Sequence, residues 1–167
     1  GKLLPAFKTG NEFIQRKAAV FHFTDAIQGF TPFYTRYTNA ATRECSSDEE
    51  KIAATVCLVK NNVQWDRTYK LFPESLGQAI KSRSGSNAEI NCLVAGCLRE
   101  LGFIVDPVLV KFRSSGHVLL FQPELHPYDT FILSVTSADG TVRYLDCGLS
   151  EGYINILDPE MLVENAR

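Results

Sequence analysis

The sequence contains no C-x-x-C pair and only three histidines, none of them close to two cysteines. Zinc domains hold their ligands at short, regular spacings, so neither a metal site nor a bound cofactor is expected. No apolar run approaches the roughly 20 residues that cross a bilayer, and no secretory leader is recognisable. Basic residues number 17 against 19 acidic ones, and no stripe of Lys and Arg interleaves with aromatics. Nucleic acid is therefore not an expected partner. Internal repeats and low-complexity segments are also missing. The five cysteines, Cys45, Cys57, Cys92, Cys97 and Cys147, are odd in number and lack the spacing of a small disulfide scaffold. Cys57, Cys92 and Cys97 fall in apolar helical patterns and read as small buried hydrophobes. What remains, with 45% hydrophobic and 22% charged residues over 167 positions, is the composition of one globular domain with a proper core.

The best-punctuated stretch runs from Ser84 to Gly102. Ser84-Gly85-Ser86 is a turn signal, and Ser86 with Glu89 forms an S-x-x-E capping box. Ile90, Leu93, Val94, Cys97, Leu98 and Leu101 recur at helical spacing and predict one apolar stripe. Arg99 stands in the last turn, and Gly102 suits the residue just past the end. The N-terminus of such a helix lowers the pKa of a cysteine placed there and can activate it as a nucleophile. That first-turn position holds Asn87, whose amide cannot ionise into a nucleophile.

Upstream, Glu12 to Ile27 fits a helix, Gly29 to Pro32 breaks it, and Phe30, Phe33, Tyr34 and Tyr37 form an aromatic cluster suited to core or interdomain packing. Residues 38–46 read as a polar helix or loop. Ser47 and Glu50 make a second capping box for a helix ending near Asn61-Asn62, followed by an extended Val63-Gln64-Trp65 with the tryptophan in the core. Pro73 predicts the first position of a helix through about Lys81. Lys81 and Arg83 read as solvated surface rather than an anion site. Downstream, Phe103 to Phe112 predicts a strand at a sheet edge or bulge, because Pro107 cannot donate to a ladder. Arg113 to Pro127 is a loop carrying His117 and His126. Thr130 to Thr136 and Val142 to Leu145 predict strands joined by a hairpin at Asp139-Gly140. Asp158-Pro159 would start a short last helix. Helices first and strands last predict an α+β fold, with helices packed against an antiparallel β-sheet.

That order resembles the transglutaminase-like core, a rearranged relative of the papain fold. The resemblance covers about residues 47–167, leaving 1–46 as an N-terminal helical extension of a single domain. It is carried by Ser47 to Trp65, by Gly85 to Asn91 with Leu98 to Gly102, by Asp106-Pro107-Val108-Leu109-Val110, and by Phe112 to Gly116. Further on it is carried by Tyr128 to Ile132, by Tyr144-Leu145-Asp146, and by Ile156 to Arg167. Active members of that family use a cysteine, a histidine and an aspartate as nucleophile, base and orienting group. Residue by residue, the resemblance puts these three at Asn87, Thr130 and Asp146. Only the aspartate matches. Amide and hydroxyl lack the pKa for either missing role near neutral pH.

The resemblance thus implies a catalytically inactive domain kept as a structural or binding module. Its nearest likeness is to a bacterial subset of large exported, periplasmic proteins, where the core lies between two β-rich domains. The abrupt ends of the chain fit an excised piece. Ser86, Asn87, Asp129, Thr130, Asp146 and Cys147 would then line a vestigial cleft suited to a peptide backbone or a small anion. The bland reading is that these groups bond only one another. The alternative function is a cysteine-dependent acyl transferase or peptidase whose nucleophile has moved to Cys147, served by His117 or His126.

Overall fold

A computed structural model describes residues 23–28, 38–110 and 129–147 of the chain. In chain order the elements are α1 (Asp48–Asn62), β1 (Gln64–Trp65), α2 (Leu76–Ser82), β2 (Ser84–Gly85), α3 (Asn87–Glu100), β3 (Ile104–Val110), β4 (Thr130–Thr136) and β5 (Val142–Leu145). Residues 23–28 and 38–42 are also helical. The aromatic cluster at residues 30–37, the loop bearing His117 and His126, and the helix expected after Asp158 lie outside the described residues.

The centre of the fold is α3. Its capping box forms as expected, and Gly102 follows its end at φ +94°, a conformation that favours glycine. The helix is mostly buried, as its pattern predicts, but burial is not confined to the apolar stripe: every residue from Asn87 to Leu98 is buried, polar ones included. Burial all round follows from α1, α2, β3 and β4 all packing on this one helix. Its buried amides and carboxylate must therefore find partners inside the protein.

Strands β3, β4 and β5 form an antiparallel sheet in that order, with Val105 opposite Val135 and Leu133 opposite Leu145. Pro107 sits in β3, an edge strand of this sheet, where a missing N–H is tolerated. Val105, Phe131, Leu133, Val135 and Leu145 join Ile52, Val56, Ile90, Leu93 and Leu98 in one core. Phe23 enters the same core in a T-shaped contact with Phe131, ring centroids 5.6 Å apart, and the Arg99 guanidinium lies over the Phe23 ring, 5.1 Å from its centroid. The described part of the N-terminal extension is thus part of the core.

Four local expectations are corrected. At α1, Ser47 caps Glu50 N–H, but the Glu50 carboxylate reaches Ser46 N–H at 2.8 Å instead of closing the box on Ser47. Helix α2 starts three residues late, at Leu76 rather than at Pro73, where Ser75 caps it by accepting Gln78 N–H on its hydroxyl at 3.1 Å. The turn before α3 is made by Arg83 at φ 58°. Ser84 and Gly85 run extended and pair in parallel with Gln64 and Trp65. Trp65 packs against the core but is only half-buried, with Nε1–H on the Thr68 carbonyl at 2.9 Å.

Gly85 is required by close approach rather than by its backbone angles. A Cβ there would lie 3.1 Å from Ala79 Cβ and 3.3 Å from Glu89 Cβ. Both neighbours are fixed to helix backbone, so neither gives easily. Gly85→Ala is expected to cost about 1–3 kcal/mol, read as a fall in the urea midpoint at unchanged slope.

Candidate functional site

The N-terminus of α3 is built from the capping box. Ser86 N–H donates to Glu89 Oε2 at 3.0 Å, the Ser86 hydroxyl donates to the same carboxylate, and Ala88 N–H donates to Ser86 Oγ at 3.2 Å. Glu89 thus has both oxygens engaged while being only 4% exposed.

Asn87 and Thr130 meet directly, although 43 residues separate them. Both are 0% exposed. Asn87 Nδ2–H donates to Thr130 Oγ1 at 2.9 Å, and the Thr130 hydroxyl donates to the Lys70 carbonyl at 2.9 Å. Lys70 N–H returns to Asn87 Oδ1 at 3.4 Å, which closes a ring of three groups. The backbone N–H of Asn87 donates to the Thr68 carbonyl at 3.2 Å. Such an arrangement satisfies every group in it and offers no ionisable nucleophile or base.

One turn along the same face of α3, Asn91 repeats the pattern. Its Nδ2–H donates to the Phe131 carbonyl at 3.0 Å, and its Oδ1 accepts Cys147 N–H at 3.1 Å. The i, i+4 spacing of two asparagines in an otherwise apolar helix was the available sequence signal for this seam. Asp146, 1% exposed, follows β5 directly. It lies close enough to Lys60 of α1 to act on its charge. Burial lowers the Lys60 ammonium below the ordinary lysine value, and Cys147 and Asp146 pull it part of the way back. Among the described residues Lys60 Nζ is buried and has no hydrogen-bond partner. Nothing in the sequence marked this lysine, which reads as an ordinary cation in the last turn of a helix.

The expected cleft residues therefore separate. Ser86 faces an open cleft of about 130 Å³, whose walls include Asp66, Lys70, Glu74, Ser75 and Glu89. Asn87 and Thr130 are fully buried, and the strand leading to Thr130 starts from a half-buried Asp129, whose N–H is spent on the Val110 carbonyl at 2.9 Å. Cys147 is 0% exposed, and its thiol is pushed well above the ordinary value, first by burial and then by Asp146. Lys81 and Arg83 are exposed, and Arg83 donates to the Asn61 carbonyl at 3.2 Å rather than turning to the helix N-terminus. Among the described residues no cluster of three or more His, Cys, Asp or Glu could hold a metal ion, and no helix is long and apolar enough to cross a membrane.

No family model and no curated protein matches the chain. Among solved structures, the chain is similar to a protein from Parabacteroides distasonis provisionally named a protease. The identity is 16%, the TM-score is 0.58, and 83% of this chain is covered against 26% of that one. It is also similar to a TGase at 14% identity and a TM-score of 0.46, over 99% of this chain and 37% of that one. The chain spans about a quarter of the length of the Parabacteroides protein. That first likeness, together with the helix-on-antiparallel-sheet core, shows an α+β fold shared with that protein.

Proposed function

We propose that the chain is a transglutaminase-like domain without acyl-transfer activity, serving as a structural or binding module within a longer exported protein. The observation that carries this reading is the bond between Asn87 and Thr130. A buried amide–hydroxyl pair stands where the resemblance puts the thiol and imidazole. The short share of the Parabacteroides chain that is covered supports a multidomain parent, whose flanking β-rich domains are the proposed partners. As ligand, a peptide backbone suits the site better than a small anion. Asp66, Glu74 and Glu89 in the cleft wall outnumber Lys70, which is itself paired with Glu74 at 2.8 Å.

The test is incubation of the protein with glutamine-containing acyl-donor peptides and an amine acceptor, followed by mass spectrometry. No transfer and no covalent adduct at the mouth of α3 is the expected result; turnover of the donor overturns the reading.

The relocated-nucleophile alternative makes its own claim on Cys147. A nucleophilic thiol needs exposure and a lowered pKa, and Cys147 has neither. With iodoacetamide at pH 8, Cys57 is expected to label first, since it is exposed. Cys147 is expected to label with buried Cys92, only on unfolding and roughly a thousandfold or more slower. Peptide mapping over time checks this, and a Cys147 that keeps pace with Cys57 restores the alternative.

A further inference from the structure

Residues 66–75 run across the mouth of α3, and none of the ten is buried. What they cover is buried: Ser86, Asn87, Glu89 and Thr130 are exposed by 2%, 0%, 4% and 0%. A cover that is itself half-exposed holds on by polar bonds more than by apolar area. Four such bonds reach the covered groups, beside Asp66 N–H on the Gly85 carbonyl at 2.9 Å. Asn87 N–H reaches Thr68 O, Lys70 N–H reaches Asn87 Oδ1, the Thr130 hydroxyl reaches Lys70 O, and Glu74 N–H reaches Glu89 Oε1. The Lys70 to Asn87 contact, at 3.4 Å, is a long one. Arg67 takes the left-handed conformation at φ 68°, a strained choice for a side chain of that size. The chief apolar anchor is Tyr69, packed against Val110 and Ile132 in a small cluster and against the half-buried Trp65, ring centroids 5.1 Å apart.

We propose that residues 66–75 form a strap that opens as a unit independently of the core and, when closed, blocks the Asn87–Thr130 pair. This rests on the reading of the domain as a binding module for a peptide main chain. In the closed state the main-chain groups of Thr68 and Lys70 take up the helix N–H, the Asn87 carboxamide and the Thr130 hydroxyl. A peptide main chain reaching those groups has to displace the strap first. Segments with few buried apolar contacts and exposed backbone hydrogen bonds open at lower free energy than the core, which is the physical basis for separate opening.

The experiment is native-state hydrogen exchange on the whole chain, with no ligand present, so its failure is separate from a failure of the binding reading. The amides of Lys70, Glu74 and Asn87 are expected to exchange at least a hundredfold faster than those of Leu93 and Val94, with little dependence on sub-denaturing urea. Tyr69→Ala is expected to speed the three strap reporters about tenfold further and leave Val94 unchanged. A second measurement places a thiol beneath the strap: in Asn87→Cys protein the new thiol is expected to alkylate at least tenfold faster than Cys92. Strap amides that exchange in step with Val94 at every urea concentration, or an introduced thiol as slow as Cys92, overturn the proposal.

Discussion

Above about pH 9 the protein is expected to lose stability at about 3 kcal/mol per pH unit, steeply enough to unfold within a few units of pH. Cys92, Cys97 and Cys147 are all 0% exposed. Burial pushes the Cys92 and Cys147 thiols far up and the Cys97 thiol up to about 11. In the unfolded chain each ionises near the ordinary thiol value of about 8.5. From there upward the native state keeps three protons that the unfolded state has given up. A folded pKa above the unfolded one contributes stability that is fully present below the unfolded value and lost as pH rises. Each thiol contributes a slope of about 1.4 kcal/mol per pH unit. Lys60 works the other way: its pKa is lowered in the fold, so the unfolded state holds the extra proton as pH approaches the ordinary lysine value. One lysine against three thiols reduces the slope without reversing it. Urea midpoints from pH 7 to 10.5 measure the effect. Cys147→Ala or Cys97→Ala is expected to flatten the slope by about one thiol's share. A midpoint constant through pH 10.5 would show that the three thiols are not sealed in the core.

What the sequence disclosed was whatever local punctuation decides. The capping serine and Glu89 fix where α3 begins, and Gly102 fixes where it stops. The Asp139-Gly140 turn sets the β4–β5 hairpin, whose strands fall at the expected residues. The misreadings have one local and one tertiary cause. Pro73 is a fair helix start by its own φ, yet Ser75, two residues further on, is the better cap, its hydroxyl accepting Gln78 N–H. Ser84-Gly85 has the composition of a turn, yet β1 lies beside it and draws it out. The candidate site was legible only in its cast. Resemblance nominated Asn87, Thr130 and Asp146, but periodicity alone does not show that Asn87 faces Thr130. Nor does it show that Lys70 completes their ring through its backbone, because backbone donors leave no mark in a side-chain pattern.

Asn91→Ala is expected to cost about 3–5 kcal/mol, more than most single substitutions in the core. Asn91 is 0% exposed, and its two bonds run to different segments, the Phe131 carbonyl in β4 and the Cys147 N–H just past β5. Alanine removes both partners at once. A buried group deprived of its partner costs about 1–3 kcal/mol, and the emptied volume adds to that because a close-packed surround relaxes only in part. Asn87→Ala should cost less, because the Thr130 hydroxyl keeps the Lys70 carbonyl as an acceptor. The difference between the two variants separates two roles for the seam. If Asn91 ties α3 to both strands, its loss lowers the urea midpoint and also frees the end of β5, where Asp146 and Cys147 sit. Faster alkylation of Cys147, but not of Cys92, in Asn91→Ala protein would be the mark of that release. A midpoint shift of less than about 1 kcal/mol would mean that the amide is dispensable. The positions of Asp146 and Cys147 would then be set by β5 and the core alone.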